Sequence, residues 1–526
     1  TVSSITVGAC TDNVAPLTCT DAAVGTVAMN ANGSFSFVPA AGDAGATESF
    51  TYIVTDNGTP SPASSAPATV TLTRFNRVWY VKNDSAAGGN GTSATPFDTL
   101  VEAQTASVAN DTIFVYFGTG TTNGQNAGIV LKNGQSLLGE FEGLSLPVNL
   151  NANGAPTVLV PVPTATACGG APCRPLIGNS GAGSNVVAAT DVIPAVIGGF
   201  RIDPPGGASN AIDVTTNVAF VGTGTLDIRN NIVIDAGAEG IDINANGTGA
   251  NALTLLLHDN QLQATTGNAI DIVRTAGTLT ITAFDDNVVT GAALANGIVV
   301  TGATFDTVAG NPIVAVPGGT TTIGVSGDGV GTGGLLLTTV VGELAFTDLD
   351  IFNGAGTGLG VTSTGALNAA AGTGFRISVP AGVATVDTST GPAVSINNAS
   401  ISLPLNFLRS TNSTTNGVSL VNAFGALAGT ALSASGGQIT DPGAASGTAV
   451  NISGGTGNIT LALPITNSSG RAVDVNTRAS DTVLFSGAVA ETGTGISLTN
   501  NGGATINFTG GLTASTGTNA AFAATG

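Results

Sequence analysis

The chain has 526 residues, of which 76 are Gly, 42% are hydrophobic and only 8% are charged, with Lys present just twice, at Lys82 and Lys132. A composition so poor in strong helix formers excludes a largely α-helical protein, and its apolar content excludes a disordered one. With 32 acidic and 12 basic residues the formal net charge is −20, which repels phosphate backbones and anionic lipid, leaving cations as the ionic partners and nucleic acid as none.

Residues 1–74 alternate apolar and polar in short runs: "VGTVAMNANGSFSFVP", "ESFTYIVTDNG" and "PATVTLT". Period-two alternation broken by turn residues predicts antiparallel strands. Asn32-Gly33, between Val27–Met29 and Phe35–Phe37, predicts a hairpin whose two central residues both take positive φ. A small antiparallel β-sandwich results. The segment resembles the cadherin-like and immunoglobulin-like (Ig-like) modules strung along bacterial surface proteins. That resemblance implies a spacer role, with calcium held at module junctions, for which Asp43, Glu48 and Asp56 are the candidates beside the alternative of solvated loop carboxylates.

Cysteines fall as two local pairs, Cys10 with Cys19 and Cys168 with Cys173. Pairs closing short Pro-containing loops predict two disulfides, hence an oxidising compartment and a secreted or cell-surface location. A metal site is the rival, but there is no CxxC spacing and His258 is the sole histidine.

From residue 75 the character changes. "RVWYVKNDSAAGGNGTSATPFDTLVEAQTASVANDTIFVYFGTG" predicts strand, loop, one short helix and strand, the helix carrying Leu100, Ala103 and Ala106 at helical spacing after a start at Pro96-Phe97-Asp98-Thr99. One amphipathic helix ahead of a β-repeat suits a cap that closes the apolar interior of a first coil. Together with "GIVLKNGQSLLGEF", the segment at 75–145 resembles the N-terminal end of right-handed parallel β-helices of the pectin-lyase-like class.

Residues 146–526 repeat. Ile212-Asp213-Val214, Ile241-Asp242-Ile243, Ile270-Asp271-Ile272 and Ile298-Val299-Val300 step by 29, 29 and 28 residues, and Asn231, Asn260 and Asn287 step by 29 and 27. Two ladders in one period predict coils of three short strands, Ile and Val facing inward and Asn stacking at a turn. Val450, Val473 and Ile496 step by 23, and Phe522 follows 26 later. Between 302 and 391 no register is assigned, and "NPIVAVPGGTTTIGVSGDGVGTGG" is either a longer coil or an outward loop. The predicted fold is all-β: a small antiparallel β-sandwich followed by a long right-handed parallel β-helix with one short N-terminal capping helix. About 15 to 19 coils would make a rod on the order of 75 to 90 Å long.

No run of about 18 apolar residues occurs, the longest candidate, Leu335–Phe346, being broken by Gly342 and Glu343, so no transmembrane segment is expected. The sequence starts at Thr1 without Met and stops inside a repeat, which reads as an excerpt of a longer, processed polypeptide.

The pectin-lyase-like resemblance implies either a carbohydrate-active enzyme, lyase or hydrolase, or a non-catalytic adhesin. Candidate catalytic groups are Asp285 with Asp286, Asp259 beside His258, which could serve as a general base, and Arg274. The column Asp213, Asp242, Asp271, with Arg229 and Arg274 near it in sequence, is a candidate calcium or sugar-binding strip, because stacked carboxylates repel one another unless a cation or a proton intervenes. Adjacent carboxylates in a turn diverge, and aromatics for sugar stacking are few. The favoured function is therefore a secreted surface rod acting as adhesin, stalk or filament subunit, contacting surface glycans and associating with itself end to end. The alternative is a polysaccharide lyase or hydrolase.

Overall fold

Two short antiparallel sheets fold the first 73 residues because their strands alternate one apolar face with one polar face. In the computed structural model, which describes residues 1–40, 47–73, 77–144, 173–181, 183–204, 209–247, 251–263, 266–291, 295–308, 310–425, 429–440 and 447–526, one sheet holds strands β1 (Val2–Val7), β2 (Cys10–Asp12), β6 (Thr47–Val54) and β7 (Ala68–Thr73). The other holds β3 (Leu17–Asp21), β4 (Gly25–Met29) and β5 (Phe35–Pro39). Ile5, Val7, Leu17, Val27, Met29 and Phe50 fill the space between the sheets. The Cys10–Cys19 disulfide, Cα atoms 5.7 Å apart, ties β2 of one sheet to β3 of the other.

The hairpin β4–β5 pairs Met29 with Phe35, so its loop is five residues long. Of the two residues expected at positive φ, only Gly33 takes it, at 88°. Asn32 instead uses its side chain, whose Oδ1 accepts the Ser34 N–H at 3.1 Å. The longer loop makes the two-residue turn unnecessary.

A parallel β-helix follows, from strand β8 (Val78–Val81) to Phe522–Thr525. Each coil contributes to three ladders, and each strand pairs in parallel with its counterpart one coil on. On the first ladder the inward column runs in register from Ile129 and Val187 through Ile212, Ile241, Ile270 and Ile298. It continues without a break through the stretch left unassigned above, by Leu335, Leu359 and Val394, with coils of 37, 24 and 35 residues. Val418, Val450, Val473, Ile496 and Phe522 complete it. The "NPIVAVPGG…" segment is both things at once: Val316–Ile323 is a ladder strand, and the residues after it leave the coil as a small hairpin.

Helix α1 (Leu100–Ala106) closes the first coil. Thr99 caps it, its Oγ1 accepting the Glu102 N–H at 3.3 Å while Glu102 Oε2 accepts the Thr99 N–H at 3.2 Å. Leu100 and Ala103 join the same core as Trp79, Phe97 and the coil interior. The outer edge of β8 is covered as well: Tyr80 donates to the Gly91 carbonyl at 2.9 Å, and Phe97 donates to the Tyr80 carbonyl at 2.9 Å.

Candidate functional site

The corner between the second and third ladders is set by backbone geometry. Asn230, Asp259 and Asp286 all take left-handed φ near 55°, which swings the chain through the bend, and the residue after each turns its amide inward. Asn231, Asn260 and Asn287 are accordingly buried. Asn231 Nδ2 donates to Asn260 Oδ1 at 3.2 Å and Asn260 Nδ2 donates to Asn287 Oδ1 at 3.2 Å. Each also donates to a backbone carbonyl one coil back, that of Ile197, Ile228 or Leu257. This amide stack uses both halves of every side chain, and its work is structural.

The same corner explains the residues proposed as catalytic. Asp259 and Asp286 are its left-handed residues, and Asp286 Oδ1 accepts the Thr320 N–H of the next coil at 2.7 Å. Arg274 lies on the first ladder, where Nη1 donates to the Gly277 carbonyl at 3.0 Å and Nε bonds the Gly302 carbonyl. The fold thus spends Arg274 on backbone oxygens at a different corner from Asp259, Asp285 and Asp286.

His258 belongs to a different constellation. Its Nδ1 lies 2.7 Å from Asp259 Oδ2 and its Nε2 3.2 Å from Asp227 Oδ1. Asp227 also pairs with Arg229 Nη1, and Arg229 Nε meets Glu142 Oε2 at 2.9 Å. Asp227, with Asp259 beyond it, holds the imidazole up at about 9 despite partial burial. His258 is therefore an imidazolium at neutral pH, a bridge between carboxylates rather than a base ready to accept a proton.

The acidic column is real in register: Asp213 pairs with Asp242 and Asp242 with Asp271. A second column lies beside it, in which Asn210 Nδ2 donates to Asp242 Oδ2 and Asn268 Nδ2 to Asp271 Oδ2, both at 3.0 Å, and Asn185 donates to Asp213. Burial pushes the Asp242 carboxyl up to about 7, with Asp213, Glu239 and Asp271 adding repulsion, and burial raises Asp271 too. Amide donors thus meet all three carboxylates of the column. Among the described residues no three His, Cys, Asp or Glu side chains converge as a metal site. The neighbouring column was readable, since Asn185, Asn210, Asn268 and Asn296 each stand two residues before the inward Val or Ile.

Of the junction candidates, Asp56 spends Oδ1 on the Gly58 and Ala63 N–H groups of its own loop, at 3.0 and 2.8 Å. Glu48 sits on β6, and Asp43 lies outside the described residues. Cys173 is disulfide-bonded, and its expected partner Cys168 lies outside the described residues. Sequence reasoning missed a cavity of about 570 Å³ beside the capped end, lined by Lys82, Asp84, Tyr116 and Glu140 among others. Lys82 and Asp84 pair there at 3.1 Å, and Glu140 Oε2 accepts the Phe117 N–H at 2.6 Å. Its residues follow the ends of three strands, Val78–Val81, Thr112–Val115 and Ser136–Gly139, and include part of the loop before α1, so no motif announces it.

No helix among the described residues is long and apolar enough to cross a membrane. No curated protein and no solved structure matches the chain. Residues 1–73, the two-sheet module stapled by Cys10–Cys19, match the family model of the bacterial Ig domain.

Proposed function

We propose that the chain is the rod portion of a secreted bacterial cell-surface protein, an Ig-like module on a stiff pectin-lyase-like β-helix, serving as adhesin, stalk or filament subunit. The unbroken inward column from Ile129 to Phe522 carries this reading. Such a column makes each coil's stability depend on its neighbours, which suits a load-bearing spacer. A bacterial Ig domain and a disulfide at the front of the rod agree with an exported protein.

End-to-end association belongs to the same proposal. Because residues 91–97 and α1 cover the first coil, contact at that end would run through the Ig-like module, whose edge strand β5 leaves Val38 63% exposed. Electron microscopy of protein purified from its native source, without crosslinker, tests this. Fibres with a regular axial repeat are expected. Separate short rods at all concentrations would reject the filament form. The carbohydrate-active enzyme is the second reading, and the cavity at Lys82, Asp84 and Glu140 is the observation on its side. Release of new reducing or unsaturated ends from acidic polysaccharides would establish it.

A further inference from the structure

The cavity beside the capped end is built by register. Val81, Val115 and Gly139 are partners on three successive coils, and the residues that follow them, Lys82, Tyr116 and Glu140, all line the recess. The chain about Gly118, another part of the lining, is held by Asn83, whose Oδ1 accepts the Thr119 N–H at 2.8 Å and whose Nδ2 donates to the Thr121 carbonyl at 2.9 Å. Tyr116 is set by its neighbours: its ring lies edge to face with that of Phe114 at 5.1 Å and stacked on that of Tyr80 at 6.1 Å. The recess is thus formed before any ligand arrives.

One group in it has an unmet need. Glu140 is 4% exposed and its Oε2 accepts the Phe117 N–H at 2.6 Å, but its other oxygen takes no hydrogen bond among the described residues. No described cation pairs with it, since Lys82 Nζ lies 3.1 Å from Asp84 Oδ1 and those two neutralise each other. A carboxylate so far withdrawn from water is costly unless a donor or a cation meets it. Burial, with the Glu140 charge adding to it, pushes the Tyr116 hydroxyl up, so that ring stays neutral.

The charge selects the ligand. Lys82, Asp84 and Glu140 sum to one negative charge, so an anion is repelled. Calcium wants more oxygens than these, and among the described residues no three acidic side chains converge. A neutral hydroxyl compound leaves the charge unmet. An organic cation meets it, and a primary ammonium does so better than a quaternary one, because it has N–H groups to donate and because Tyr116 is the one aromatic side chain of the lining, too few for a cage. We propose that the cavity at Lys82, Tyr116 and Glu140 binds a primary alkylammonium, its head donating to Glu140 and its carbons lying on the Tyr116 ring. The site stands apart from both readings above, since a rod that forms no fibre and cleaves no polysaccharide would still present it.

Titration calorimetry of the full chain at low salt tests this, with n-butylammonium, Nα-acetyl-lysine amide, choline, calcium chloride, glucose and glucuronate as separate probes. At least one of the two primary ammonium probes is expected to saturate with a Kd of about 1 mM, and the better of them tells whether the source is a free amine or a lysine side chain. Glu140→Gln, which keeps an acceptor for the Phe117 N–H, should weaken binding about ten-fold. Lys82→Met, which removes the rival cation and frees Asp84, should tighten it about three-fold. A gain cannot come from misfolding, so Lys82→Met decides the case if Glu140→Gln also lowers the melt. No saturable binding of either ammonium, equal or tighter binding of choline, calcium, glucose or glucuronate, binding indifferent to Glu140→Gln, or binding not tightened by Lys82→Met would each overturn the proposal.

Discussion

Asn260 holds both neighbours of its stack, accepting from Asn231 and donating to Asn287, and it also donates to the Ile228 carbonyl. Truncation leaves those partners buried and unpaired, so Asn260→Ala should lower stability by about 2 to 3 kcal/mol, read from the denaturant midpoint. An isosteric Asp should cost more, since it sets oxygen against the Asn287 oxygen and buries a charge. His258 gives a second test at this scale. Its pKa is raised on folding, to about 9, so its contribution is complete below about pH 6.5 and is lost as pH rises through 9. Stability should fall by about 1 to 2 kcal/mol across that window, less than the full shift implies because the group faces water, and His258→Gln should flatten the profile.

At the scale of one ladder, the acidic column ties stability to pH with its own window. Asp242 is raised on folding to about 7, so its favourable contribution is present below about pH 4 and disappears as pH climbs through 7. Asp242→Asn should therefore raise the melting temperature at pH 8, by the equivalent of about 1 to 2 kcal/mol, and leave it nearly unchanged at pH 4. The inward column and the Asn stack were legible in the sequence because an interior position must be refilled at every coil. Between 302 and 391 the pattern faded for two physical reasons. Hairpins and loops leave the coil there, so its length changes from 37 to 24 to 35 residues, and the left-handed bend after the first ladder passes from Gly302 in one coil to Thr339 in the next. The Glu142–Arg229 pair joins residues 87 apart, so no local spacing reveals it.

For the whole molecule, register predicts which deletions survive. Removing 241–269 joins Gly240 to Ile270, which then takes the place of Ile241 opposite Ile212, and Asn287 takes the place of Asn260 opposite Asn231. That shortened chain should melt cooperatively within a few degrees of the parent by circular dichroism. Removing 241–255 instead, about half a coil, faces inward positions with outward residues and should abolish the transition.

The unequal coils have a mechanical meaning. Along its axis a coil occupies about 4.8 Å, yet a coil of 29 residues pulled straight releases about 100 Å of chain. A tether built this way is short at rest and yields by paying out thread one loop at a time. The coil that begins at Ile129, 58 residues before its partner Val187, would pay out the longest length, followed by those that begin at Ile298 and Leu359 with 37 and 35 residues, so a force–extension trace would carry a ruler of the coil sequence written in its step sizes.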